Sequence, residues 1–241
     1  MTPEANSSPR PAATRRIIVA IDGPAGAGKS TVARHLARHF GLLTLETGAM
    51  YRAFALKALR AGFGLDDPAV LDTLARETVI RLEPGEDENR VLLDGEDVTG
   101  QLRNPTVTDA ASRVSAIPSI RTWMVRLQKE LGAQGGIVME GRDIGTVVFP
   151  QAEVKIFLDA APEVRGLRRF DQLGPAPKQQ PEEVIRELRD RDNRDRNRAE
   201  SPLRPATDAV FLDSTYMTLD EAVKAAEAIV TEKLEDGAAI S

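Results

Sequence analysis

The chain has 241 residues, of which 41% are hydrophobic and 29% charged, with a formal net charge of −5. Those values suit one α/β unit with an insertion and argue against a whole-chain nucleic-acid binder. There is no cysteine, which excludes disulfides, thiolate metal sites and cysteine nucleophiles and fits a reducing, cytoplasmic setting.

Residues 1–16 are rich in Pro, Ser, Thr and Ala without the apolar run of a signal peptide, which predicts a disordered tail. Ile17 to Ile21 is short, continuous and β-branched, the pattern of a central parallel strand. A glycine-rich turn follows from Gly23 to Gly28. Helical spacing then runs from Ser30 to Phe40, with Gly41 to end it. Leu42 to Leu45 reads as a second strand, and Thr47 as the cap of a helix reaching about Ala61.

Between Asp66 and Arg103 the character changes. A short helical pattern (Val70, Leu71, Leu74) precedes a strand pair near Val79 to Leu82 and Val91 to Leu93, with a turn signal at Asp94-Gly95. Helical stretches follow from Thr106 to Ala116 and from Ser119 to Leu131. Further strands are expected at Ile137 to Met139, Val154 to Leu158 and Ala209 to Leu212. Helices are expected at Pro162 to Phe170, Pro181 to Arg198 and Leu219 to Leu234. Strands alternating with helices imply a doubly wound parallel sheet. No segment is long and apolar enough to span a membrane.

Gly23-Pro24-Ala25-Gly26-Ala27-Gly28-Lys29-Ser30 matches the phosphate-binding loop G-x-x-x-x-G-K-[ST] in full, with a strand before it and a helix after it. Glycines let backbone N–H groups converge on an anion, and the helix N-terminus adds its dipole. Lys29 reaches β- and γ-phosphates, the Ser30 hydroxyl suits Mg²⁺, and Thr31 adds a hydroxyl nearby.

The loop does not choose among kinase, switch and motor. A GTPase switch would carry N-K-x-D, and the chain has no Asn-Lys pair. A kinase for a small anion needs arginines to clamp its acceptor, and three places offer them: Thr47 to Arg52, Gly141-Arg142-Asp143, and Arg191 to Arg198. On a helix Arg191, Arg194, Asp195 and Arg198 share a face, while Arg189 and Arg196 point elsewhere. A solvated, ion-paired helix is the plain reading of such a run. Against it, almost nothing apolar follows Leu188, and guanidinium groups suit bidentate phosphate binding. Kinases for AMP, UMP or shikimate, or an RNA-binding module, remain open at this point. His35 and His39 read as surface residues of the first helix.

The stretches IDGPAGAGKST, TGAMYR, LDGEDVT, EGRDIGTVVFP, VKIFLDA, RDNRDRNR and LDST occur in that order. Taken together, they make the chain resemble bacterial cytidylate kinases over nearly its whole length after Arg16. The resemblance implies a P-loop nucleoside-monophosphate kinase fold: a parallel five-stranded sheet of order 2-3-1-4-5, helices on both faces and a small α+β insertion. Residues 17–65 and 114–241 would form the core, 66–113 the nucleotide-binding insertion, and about 163–182 a lid over ATP bearing Arg165, Arg168 and Arg169.

By the same resemblance Arg52, Arg142 and Arg198 grip the acceptor phosphate. Ser112, Arg121 and Asp143 read cytosine, Arg191 and Asp195 contact the sugar, and Thr47 lies near the acceptor. Glu46 departs from the family's usual Asp. The implied reaction is Mg²⁺- and ATP-dependent phosphorylation of CMP and dCMP, with Lys29, Arg142 and Arg198 as the catalytic cations. A cytoplasmic monomer acting on small molecules, without nucleic-acid or membrane partners, is expected.

Overall fold

The computed structural model describes residues 17–83, 85, 89–172 and 179–239. The expected tail, 1–16, lies outside them, as does most of the Pro- and Gln-rich loop within the expected lid. Strand β1 (Ile18–Asp22) is the middle of the main sheet, and Val19, Ala20 and Ile21 have no exposure at all. It is flanked by β6 (Ile137–Gly141) and β7 (Val154–Asp159), with β2 (Leu43–Glu46) and β8 (Val210–Asp213) at the edges. All four pairings are parallel. Numbering these five strands alone in chain order gives 2-3-1-4-5, the expected order.

The register brings the carboxyl ends of the strands level. Asp22 lies opposite Gly141 and Phe157, and Glu46 opposite Glu140. In an open α/β sheet the ligand crevice lies just beyond such ends. One core packs β1 and β7 against α1 (Lys29–Phe40) and α8 (Leu219–Ala239), through Val32, Leu36, Val223 and Val230. A second lies beneath α2 (Thr47–Arg60), α4 (Pro105–Val114) and α5 (Pro118–Gly132), where the Phe54 and Trp123 rings meet at 5.2 Å.

Between α2 and α4 the chain leaves the main sheet. Helix α3 (Pro68–Arg76) starts on Asp67, whose carboxylate accepts from the Ala69 and Val70 amides. Strands β3 (Ile80–Glu83), β4 (Arg90–Leu93) and β5 (Glu96–Asp97) form a separate antiparallel sheet. Asp94 (φ 51°) and Gly95 (φ 91°) are both left-handed, as a tight hairpin turn requires. The hairpin signal therefore belongs to β4 and β5, and β5 is too short to show any periodicity.

One local expectation is corrected, and one element is new. Thr47 is the first helical residue of α2 rather than its cap, and its hydroxyl instead donates to the Glu140 carbonyl at 2.8 Å. After β6 a π-helical turn, Ile144–Val148, stands where no periodic signal exists. Helices α6 (Pro162–Asp171) and α7 (Pro181–Asn197) pack together. Past Leu188 the buried residues of α7 are Asp192 and Asp195, so its second half is held by ion pairs and not by apolar contact. Among the described residues no helix is long and apolar enough to cross a membrane.

Candidate active site

The phosphate loop is shaped by positions that tolerate no side chain. Gly23 has φ +150°, and a Cβ there would stand 1.9 Å from the Leu158 carbonyl oxygen of β7. Gly28, at φ 94°, turns the chain into α1. The Lys29 ammonium curls back and donates to the Pro24 carbonyl at 2.7 Å. Burial, reinforced by the Arg142 charge, pushes this ammonium down to about 7.

Ser30 hydrogen-bonds the Glu140 carboxylate, which burial and the neighbouring Glu46 charge push up. Glu140 Oε1 has no partner of its own. An unpaired carboxylate oxygen beside a hydroxyl at the loop's end is a hard-oxygen donor set, so these residues fit Mg²⁺. Sequence reading missed Glu140. Its signal was an acidic residue closing a fully buried strand beside the loop.

Facing the loop, the turn after β6 carries Arg142 and Asp143. Asp22 pins that turn by accepting from the Ile144 and Gly145 amides, each at 2.7 Å. Burial outweighs those hydrogen bonds and raises the Asp22 carboxyl to about 6. Asp143 pairs with Arg121 at 2.8 Å, both almost wholly buried, and the Arg121 guanidinium lies 5.7 Å from the Tyr51 ring centre. Arg142 Nε donates to Asp195 Oδ2 at 2.9 Å, and Arg198 stands 3.7 Å from the other oxygen. Burial, then the Arg142 charge, pushes Arg191 down to about 10.

The predicted charged acceptor residues Arg52, Arg121, Arg142, Asp143, Arg191, Asp195 and Arg198 are thus brought together. The charges of Arg142 and Arg191 act on Lys29, those of Arg142 and Arg52 on Arg191, and those of Arg121 and Asp143 on Arg198. Arg52 is ion-paired with Glu46. Burial pushes the Glu46 carboxyl up, but Arg52, with Arg103 and Arg34 behind it, holds it below the ordinary range. Beside this pair a cleft lined by Arg34, Asn89 and Arg103 separates the main sheet from the small one, and Asn89 bridges it to the Thr44 carbonyl.

Buried polar atoms without a partner include Ser112 Oγ, Asp143 Oδ2, Arg121 Nε, Arg52 Nε, Arg191 Nε and Arg198 Nη2, besides atoms of Tyr51, Gln128, Glu140, Thr146 and Asp192. About nine in ten buried polar groups in folded proteins are paired, so the unpaired guanidinium, hydroxyl and carboxylate atoms here are free to take a polar ligand.

The three arginines expected over ATP are dispersed. Arg165 is 2% exposed, and its guanidinium donates to the carbonyls of Ala160 and Ala25 and to Asp192 Oδ2 at 2.7, 2.8 and 2.6 Å. It braces the back of the phosphate loop against α7, with each of its three nitrogens already bonded. Arg168 bonds the Ser214 and Met217 carbonyls and steadies the turn between β8 and α8. Arg169 reaches Gln172 at 3.4 Å.

Beyond Arg165 opens a cleft of about 590 Å³, bordered by Asp159, Arg189, Arg196, Thr215 and Tyr216. Arg189 and Arg196, which helical geometry turns away from the acceptor face, border this second cleft. Its walls come from distant segments, and no local spacing announces it.

A family model described as cytidylate kinase matches residues 19–232. A cytidylate kinase of Solibacter usitatus is 48% identical over 227 residues, covering 92% of this chain and 96% of the relative. One of Pelotomaculum thermopropionicum is 50% identical over 210 residues, covering 86% and 92%. One of Desulforamulus reducens is 49% identical over 211 residues, covering 87% and 95%.

Proposed function

The chain belongs to the cytidylate kinase family and is a kinase, and on that premise we propose that it transfers the γ-phosphoryl group of ATP in line to CMP and dCMP, as a cytoplasmic monomer. The observation that carries this reading is the group of unpaired buried atoms at Ser112, Arg121, Asp143, Arg52, Arg191 and Arg198. Three of them suit a cytosine edge, and the guanidinium groups suit a phosphate and a sugar.

Asp143 Oδ2 accepts the exocyclic amine of cytosine, while Arg121 and Ser112 donate to N3 and O2. Uracil presents a carbonyl where cytosine has the amine, so UMP would set two acceptors against each other. A buried polar site left unpaired in this way discriminates strongly. Asp195 and Arg191 lie where the sugar would pass, with Thr47 close to the acceptor.

Arg52, Arg142 and Arg198 hold the acceptor phosphate, whose oxygen is already anionic, so no strong general base is needed. Lys29 and the loop amides hold the donor phosphates end to end with it. Catalysis then consists of positioning and charge neutralisation. Ser30 and Glu140 would hold Mg²⁺, which supplies further neutralisation of phosphate charge when bound. The cleft beyond Arg165 takes the donor nucleoside. The small sheet with α3 and α4 serves as the acceptor-side insertion, and closure over both nucleotides excludes water.

The test is kcat/KM for CMP and UMP in the parent and in Asp143→Asn. The Asn side chain keeps the Arg121 contact through its oxygen but replaces the other acceptor with a donor. CMP preference should fall at least about tenfold. A preference unchanged by the substitution would move base reading elsewhere.

A further inference from the structure

Helices α1 and α8 lie side by side on one face of the main sheet. His35 and His39 are four residues apart on α1, so their rings rise from one helical face. The ring centroids are 6.2 Å apart and the planes within 19° of parallel. Glu227 of α8 closes the gap: its Oε1 lies 2.6 Å from His35 Nε2 and 2.9 Å from His39 Nδ1.

We propose that His35, His39 and Glu227 form a site for a borderline-soft divalent transition ion such as Zn²⁺, bridging α1 to α8. The three ligand atoms all lie within 4.8 Å of one another. Zinc bonds of about 2.0–2.2 Å place tetrahedral ligand atoms about 3.3 Å apart. The two contacts to Glu227 therefore need to open by less than 1 Å, and the two imidazole nitrogens to close by at most about 1.5 Å. The side chains can make that adjustment, since they are 43%, 52% and 23% exposed.

Two imidazoles and one carboxylate suit zinc and its neighbours better than Mg²⁺ or Ca²⁺, and water from the exposed side completes the shell. The site is distinct from the phosphate crevice. His39 lies ten residues beyond Lys29 on the same helix, about 15 Å along its axis, and none of the three residues takes part in phosphoryl transfer. An ion there would staple the C-terminal helix to the helix that carries the phosphate loop. Two histidines merely sharing a carboxylate hydrogen bond would show the same distances, and metal binding separates the two.

The experiment is calorimetric titration of the tag-free, chelator-stripped full chain with Zn²⁺ near pH 7.5, with melting curves before and after. His39→Ala and Glu227→Gln are titrated alongside. The parent should bind a single equivalent and melt at a higher temperature, and each variant should bind at least about tenfold more weakly. Both variants should keep the parent's ion-free melting curve and kinase activity, which checks their folding. A parent that shows no binding, or variants that bind as the parent does, overturns the site.

Discussion

Lys29 carries the most consequential perturbation at the scale of a single side chain. Its ordinary value of 10.5 falls to about 7, chiefly through burial and then through Arg142. Near pH 8 the unliganded ammonium has therefore mostly lost its proton, whereas the charge of a triphosphate draws the value back up. ATP binding at that pH should take up close to one proton, and the uptake should fade below about pH 6, where Lys29 is already charged. Calorimetry of ATP binding in buffers of different ionisation enthalpy reads this directly. Lys29→Met should abolish the uptake and lower kcat by about 10²-fold or more; a proton count that survives the substitution would assign the perturbation to another group. The stability of the unliganded protein follows the same linkage. Between pH 7 and 10.5 the unfolded lysine binds more protons than the folded one, so this residue's contribution to stability rises with pH across that window.

The loop was legible because its chemistry is local. Gly23 to Ser30 announces itself by spacing, and the 1.9 Å approach at Gly23 only explains why the glycine is there. Glu140 and Asp22 were not legible. Each is a single acidic residue at a strand end, and its meaning depends on Ser30 or on the Ile144 and Gly145 amides, more than a hundred positions away in sequence.

Helix α7 shows at the level of elements how a segment without apolar residues is held. Arg142–Asp195 and Arg165–Asp192 tie its second half to the turn after β6 and to α6, whose Arg165 also bonds the Ala25 carbonyl of the phosphate loop. Removing one partner of a buried pair leaves the other charge uncompensated. Asp192→Ala should thus cost about 3–5 kcal/mol, because Arg165, 2% exposed, loses its buried carboxylate partner. Chemical denaturation reads that loss; a variant of parental stability with only a raised KM for ATP would instead make Arg165 a nucleotide ligand. The contact between α6 and α7 is tested independently at Gly166, where an added Cβ would sit 2.2 Å from Ile185 Cγ1. Gly166→Ala should destabilise by about 1–3 kcal/mol through overpacking. An unchanged melting temperature would mean that the two helices are free to separate.

The arginine run itself was visible in the sequence, but its partners were not. Which guanidinium faces the crevice and which serves as a brace depends on long-range pairing that helical periodicity does not encode. The π-helical turn after β6 and the two-residue strand β5 escaped for a different reason, since neither is long enough to repeat a pattern.

Taken whole, the molecule sets a glycine cradle and a set of guanidinium groups on one edge of a parallel sheet, with clefts on both sides of the loop. The doubly wound parallel sheet followed from the alternation of strands and helices, its strand order only from the family resemblance. The two-cleft arrangement needed the fold, because each cleft draws its walls from several segments. In the proposed reaction the two clefts take donor and acceptor so that they meet phosphate to phosphate, with the acceptor's own charge completing the site. ATP turnover should accordingly depend on the acceptor. The most direct measurement is ADP release from Mg²⁺-ATP in the absence of acceptor and then with CMP, dCMP, UMP or AMP. Release should be negligible alone and fast with CMP or dCMP; equal release without any acceptor, or faster release with AMP or UMP, would contradict the account.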